Sequence, residues 1–169
     1  MSIRHIVVET RLGPVALIAQ DEAVTGLYFE RHVRRPARAA FGRETAVSAD
    51  PLLGEAARQL HEYLAGERRE FALPFAAEGD DFQHSVWNLV KTIQCGETST
   101  YGRIAEQLGD RSLAWQVGQA LGANPLCVFV PCHRVVGSTG ALTGYAGGLS
   151  RKRALLEHEQ ALLTVGRSS

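Results

Sequence analysis

The sequence predicts an α+β fold: a small N-terminal β/α domain, built as an antiparallel sheet plus a helix, then a mostly helical C-terminal domain with a helix-turn-helix and a short active-site strand. Three observations predict it. Short apolar runs at hairpin distances fill residues 3–29. Apolar residues recur at helical spacing over 52–64 and repeatedly after residue 80. Between these stretches Leu73-Pro74-Phe75 to Asp80 reads as a linker, which divides the chain into residues 1–78 and 79–169. A length of 169 residues suits one ordinary domain, or two small ones sharing an interface.

Each element has a local reason. Ile3 to Glu9, Pro14 to Gln20 and Ala23 to Phe29 are the strands, separated by Gly13-Pro14 and Asp21-Glu22. Residues 31–50, rich in Arg, Ala, Pro, Gly and Ser, read as an irregular connection. Leu52, Leu53, Ala56, Ala57, Leu60 and Leu64 mark an amphipathic helix that stops before Gly66. Phe82, Val86, Leu89, Val90 and Ile93 line a second helix ending by Gly96. Two more, from about Tyr101 to Leu108 and from Ser112 to about Ala123, flank Gly109-Asp110-Arg111 in a helix-turn-helix pattern. A strand is predicted over Leu126–Val130, then a glycine-rich stretch, then a last helix from about Ser150 to Leu163.

Composition narrows the partners. Hydrophobic residues make up 45% and charged residues 21%, a globular balance. Net charge is zero, so any pull on phosphates must come from local contacts. Arg31, Arg34, Arg35, Arg38 and Arg43 form one basic cluster, which reads as a solvated linker. No apolar run is long enough to cross a bilayer and no signal-peptide pattern opens the chain, so a cytoplasmic protein without membrane contact is expected. Three cysteines, Cys95, Cys127 and Cys132, form no disulfide framework. Cys127-x4-Cys132-His133 lacks the paired spacing of zinc sites, and no metal is expected.

The chemistry concentrates around Pro131-Cys132-His133. Proline ends a strand because it fixes φ and donates no backbone hydrogen bond. Cys132 is thereby delivered where a strand breaks into a turn, a usual place for a reacting group; its bland alternative is a small buried hydrophobe. Leu155, Leu156, Leu162 and Leu163 define the apolar side of the last helix, and Glu159 points into its middle. A buried carboxylate there needs a partner, and His133 is the attractive one. Adjacent side chains in an extended segment face opposite ways, so a water is expected to link Cys132 to His133, with Glu159 orienting the ring. On the helix from Ser112 to Ala123, Trp115, Gly118, Gln119 and Gly122 lie opposite the core side. The glycines suit a surface that another body approaches, and the tryptophan suits a wedge or stacking platform. The competing reading covers Trp115 with the first domain.

With these residues in view, the chain resembles the O6-alkylguanine–DNA alkyltransferase (methylated-DNA–protein-cysteine methyltransferase) family. The resemblance runs through Asp81-Phe82-Gln83 with Val86-Trp87, Gly96-Glu97-Thr98-Ser99-Thr100-Tyr101, Asn124-Pro125 and Pro131-Cys132-His133-Arg134-Val135-Val136-Gly137. It continues through Leu142-Thr143-Gly144-Tyr145-Ala146-Gly147-Gly148 and from Arg151-Lys152 to Glu157-His158-Glu159. It implies DNA repair by irreversible transfer of an alkyl group from O6-alkylguanine to Cys132, each molecule acting once, as a monomer without cofactor. The partner would be double-stranded DNA containing alkylated guanine, with the base flipped out.

The resemblance also assigns roles. His133 and Glu159 complete the relay, Asn124 braces the turn before the active-site strand, and Tyr101 donates to the departing guanine. The carbonyls of Cys132 and Val135 read the guanine amine. The amide of Ala146, between Tyr145 and Gly147, faces O6. Trp115, Gln116, Gly118, Gln119 and Gly122 enter the minor groove, with Thr100 and Arg134 as further DNA contacts. This chain departs from the family pattern at Trp115, where an arginine is usual, at Gln116 and Gln119, where smaller residues are common, and at Gln94, often a proline. Two other activities stay open at this point: a protein that binds and flags the lesion without transfer, and an alkyl acceptor for a small molecule or non-duplex substrate.

Overall fold

The computed structural model describes residues 2–167. Strands β1 (Ile3–Thr10), β2 (Gly13–Gln20) and β3 (Ala23–Phe29) form an antiparallel meander. A two-residue strand β4 (Arg43–Glu44) adds in parallel beside β1, giving the order β3-β2-β1-β4. Along β2 the side chains alternate between two environments. Val15, Leu17 and Ala19 enter the main core, whereas Ala16 and Ile18 face out and are covered by Phe41. The connection over residues 31–50 therefore does more than join elements: it plugs the sheet's outer face with Phe41, 2% exposed and stacked on Tyr28.

Helix α1 (Pro51–Leu64) closes the inner face. Pro51 occupies its first turn, where a missing N–H costs nothing, and the Asp50 carboxylate accepts from Leu53 N at 3.0 Å. Helix α2 (Asp81–Val90) opens with a capping box between Asp80 and Gln83. Its Trp87 is 1% exposed and donates from Nε1 to Ala120 O at 2.8 Å. That bond fixes α2 against α4 (Ala114–Gly122), which follows β5 (Ser99–Thr100) and α3 (Tyr101–Gln107). Gly109, at φ +106°, and the Asp110 side chain, accepting from Ser112 N, make the turn between α3 and α4. Strand β6 (Val135–Val136) pairs in parallel with β5, and α5 (Leu149–Arg167) ends the described chain.

The expected strand over Leu126–Val130 is absent. Leu126 and Cys127 each make one isolated bridge, to Leu27 and Val130, and Val128 turns back at φ +74°. The apolar run is explained by burial in a tight turn: Cys127, Val128 and Val130 are all at most 3% exposed. A buried turn carries backbone groups that need partners. Asn124 supplies them, accepting from Leu126 N at 2.9 Å and donating to Val130 O at 3.1 Å. Leu27 N donates to Pro125 O at 2.8 Å, so the first sheet reaches this turn directly. The buried residues of both halves form one continuous cluster around it. No helix among the described residues is long and apolar enough to cross a membrane.

Candidate active site

Cys132, His133 and Arg134 occupy one 3-10 turn between Pro131 and β6 rather than an extended segment. The turn still separates the adjacent side chains: Cys132 Sγ accepts from Asn124 Nδ2 at 2.8 Å, while the His133 ring meets α5. The thiol is 4% exposed. Burial, then the neighbouring Cys127, push its pKa well above that of a free thiol, against the Asn124 hydrogen bond and the charge of Lys152. At rest it is a protonated thiol, and only a base could convert it to the more nucleophilic anion.

An imidazole able to accept a proton lies on the next residue. His133 Nε2 lies 2.7 Å from Glu159 Oε2, with both residues at most 1% exposed. An ionised Glu159 can only accept, so Nε2 carries the proton and Nδ1 carries the lone pair. Nδ1 has no hydrogen-bond partner among the described residues. Burial pulls the His133 pKa below the ordinary imidazole value, the Glu159 contact opposing it, so the ring is neutral at pH 7 and able to accept a proton. Burial alone would raise the Glu159 pKa; hydrogen bonds from His133 and Arg134 outweigh it and hold the carboxyl well below the usual carboxylate range.

Glu159 is the hub of the buried polar network. It accepts from Tyr63 Oη at 2.5 Å and from Arg134 through Nε and Nη2, both at 2.9 Å. Here a DNA-contact expectation is corrected. Arg134 is 7% exposed, and its third interaction, Nη1 to Ile93 O at 2.6 Å, also lies inside the protein. The 3-10 turn carries this side chain inward, where a buried carboxylate requires a cation. Thr100 has a local duty too: Oγ1 accepts from Arg103 N at 3.1 Å and caps α3.

On the acid side, Glu159, His133 and the half-buried His32 tie stability to pH in one direction. The Glu159 carboxyl is depressed, so its contribution is present above its free value of 4.5 and is lost as pH falls. His133 and His32 are held below the free imidazole value of 6.5 by burial, His32 at about 4. Unfolded, each takes up a proton more readily, so acid favours unfolding. His32 Nδ1 already accepts from Phe29 N at 3.2 Å, and protonation would break that bond. The thermal midpoint is expected to fall steadily between pH 6.5 and 4; a constant midpoint across that interval would contradict the arrangement.

A cleft of about 470 Å³ lies beside the thiol, lined by Tyr101, Trp115, Gly118, Gln119, Gly122, Thr143, Tyr145 and Ala146, together with Val33 and Arg34. Cys132 itself does not line it. Tyr101 Oη donates to Thr143 O at 3.0 Å. Val33 N donates to Ala146 O at 2.7 Å and Arg151 Nη1 to Gly147 O at 2.9 Å, fixing the Tyr145–Gly147 loop from two sides. Gly147 must be glycine, because a Cβ there would lie 2.8 Å from the Phe29 ring. Val135 is fully buried in β6, directly after the reactive turn.

On α4, Val117, Ala120 and Leu121 are buried while Gln116 and Gln119 are exposed. Trp115 is 72% exposed, so no part of the first sheet covers it. A Cβ on Gly122 would meet nothing within 4 Å, and one on Gly118 only the Tyr101 ring at 3.8 Å. Packing within the chain does not require either glycine.

Two site residues escaped the sequence reading. Lys152 is 0% exposed, donates to Thr143 O at 2.7 Å and is brought down to about 8 by burial, with Cys132 the only opposing influence. Its signal was present: it lies seven residues before Glu159, two helical turns along the same buried face. Tyr63 carried only the signal of an apolar helix face. Among the described residues no group of three His, Cys, Asp or Glu side chains is placed to hold a metal ion.

Residues 3–77 match the family model described as 6-O-methylguanine DNA methyltransferase, ribonuclease-like domain, and residues 81–161 match that family's DNA binding domain. The chain is 41% identical over 160 residues to methylated-DNA–protein-cysteine methyltransferase of Mycobacterium tuberculosis strain H37Rv, covering 94% of this chain and 93% of the relative. It is 39% identical over 158 residues to the protein of that name from Methanosarcina acetivorans, covering 92% and 97%. The crystal structure of Mycobacterium tuberculosis OGT in complex with DNA superimposes with a TM-score of 0.85 at 41% identity, covering 94% of each chain.

Proposed function

The chain belongs to the 6-O-methylguanine DNA methyltransferase family, and from that membership and the site geometry we propose how it repairs DNA by moving an alkyl group from O6-alkylguanine to Cys132. The observation that carries this reading is the buried thiol beside a neutral imidazole whose far nitrogen is held by an ionised carboxylate. A water relays the Cys132 proton to His133 Nδ1. The sulfur attacks the alkyl carbon, a C–S bond forms and the C–O6 bond breaks. Guanine leaves with the electron pair and regains a proton, so the net proton movement is from thiol to base. The thioether does not hydrolyse in water, and the molecule acts once.

The cleft beside the thiol receives the flipped base, and α4 enters the minor groove. Tyr101 exchanges its Thr143 partner for guanine. The carbonyls of Cys132 and Val135 read the guanine amine, and the Ala146 amide faces O6. Asn124 holds the sulfur and the turn that carries it. Cys132 is nearly covered and does not line the cleft, so the sulfur meets the base only at the cleft's inner end. Residues 79–169 act as the DNA-binding and alkyl-accepting unit, and residues 1–78 support it. Incubation with duplex containing O6-methylguanine is expected to add one methyl group to the Cys132 peptide, read by mass spectrometry. Binding without that mass gain would point instead to lesion flagging. Gain from free base but not duplex would point to a small-molecule acceptor.

Trp115 takes the place from which the extruded base's gap is filled. With the ring so exposed, Trp115→Ala is expected to leave the thermal midpoint unchanged and to weaken lesion-duplex affinity about tenfold, within the range of one lost base–aromatic stack. A drop in midpoint with unchanged affinity would make it a packing residue.

A further inference from the structure

We propose that the N-terminal segment His32–Arg35 forms one lip of the lesion cleft, and that Arg34 contacts a phosphate of the extruded nucleotide's strand, supplying the positive charge that α4 lacks. The proposal rests on the alkyl-transfer reading for the identity of the nucleotide. It stands on five observations. The segment is docked on the active-site loop through Val33 N to Ala146 O at 2.7 Å. It is anchored on either side of Arg34: His32 accepts from Phe29 N at 3.2 Å, and Arg35 Nε donates to Phe29 O at 3.1 Å. Arg34 itself sits at φ +60°, a conformation uncommon for a residue with a side chain, and such outliers persist where surrounding contacts enforce them. From there its Nη2 reaches the outer face of α4, donating to Gln119 Oε1 at 3.2 Å. Both Arg34 and Val33 line the cleft that Trp115 and Tyr101 line.

The scarcity of positive charge on this face makes the cation matter. Helix α4 carries no lysine or arginine, and the chain as a whole has zero net charge. Phosphate neutralisation nonetheless supplies most of the sequence-independent affinity for DNA. A guanidinium at the edge of the cleft, with no carboxylate ion pair among the described residues, is free to take a phosphate in its planar fork. Gln119 holds the side chain over α4 without neutralising it. The neighbouring Arg38 differs in this respect, because Glu44 already pairs with it at 3.0 Å.

The test compares Arg34→Asn, Arg34→Lys and Arg38→Asn in the full chain. Asparagine tolerates the left-handed backbone while removing the cation. Lesion-duplex affinity is measured against salt, methyl transfer is measured with duplex, and the thermal midpoint of each variant is recorded. Arg34→Asn is expected to weaken duplex binding about tenfold and to reduce the slope of log affinity against log salt by about 1, with the thermal midpoint unchanged. Arg34→Lys should keep most of both. Unchanged affinity and slope in Arg34→Asn, or an equal loss in Arg38→Asn, overturns the proposal. An unchanged thermal midpoint separates a lost contact from a misfolded protein. A slope that depends on Arg34 in a protein that methylates no cysteine would support the lip and overturn the transfer reading instead.

Discussion

Cys132→Ala is expected to abolish alkyl transfer altogether while leaving a folded protein that still binds lesion-bearing duplex. No other thiol is placed to substitute. Cys127 is 1% exposed, and its sulfur faces the Asn124 carbonyl and His32 Nε2 rather than the Asn124 amide that holds Cys132. The Cys95 pKa is raised by burial, and this thiol sits against Arg134 and Glu159, whereas Asn124 holds Cys132. Loss of the sulfur removes one hydrogen bond from Asn124 Nδ2, which keeps its bond to Val130 O at 3.1 Å, so the penalty is about 1 kcal/mol. The readouts are the mass of the peptide spanning residue 132 and a duplex titration. A methyl gain anywhere in the variant would sink the assignment of Cys132.

Glu159→Gln is expected to strike stability and chemistry together. The carboxylate accepts four hydrogen bonds, from Tyr63, His133 and twice from Arg134. A neutral amide can accept some of them but leaves a buried guanidinium without its counter-charge. Breaking such a pair costs about 3–5 kcal/mol. Transfer should fall about 10²–10⁴-fold, the usual range for losing a positioned proton acceptor, because His133 no longer has its tautomer fixed. Urea unfolding and single-turnover transfer measure the two effects. His133→Gln is the companion variant: it spares the Arg134–Glu159 pair and should lose transfer with a smaller fall in stability. A Glu159→Gln protein with wild-type midpoint and rate would refute the hub.

Much of this was legible in the residues. The three N-terminal strands lie within a residue of their sequence assignment, because alternating burial and turn chemistry are local signals. The inward face of Glu159 was readable from the period of α5, and the exposure of Trp115 from the period of α4. The failures have a common cause. Leu126–Val130 is apolar because it is buried, and burial alone does not distinguish a strand from a turn held by Asn124. Arg134 follows a histidine and looks like a phosphate ligand, yet one 3-10 turn rotates it toward a carboxylate that is 25 residues away in sequence. Tyr63 meets Glu159 across 96 residues, and Arg34 meets Gln119 across 85, which no periodicity encodes.

One carboxylate on α5 fastens the first helix, the reactive turn and the guanidinium beside it. Chemistry and architecture therefore share a single rivet. A protease cut or a mechanical pull that peels α5 away would silence the thiol at the moment it loosened the fold, so a damaged molecule that is still half-assembled has no means of reacting.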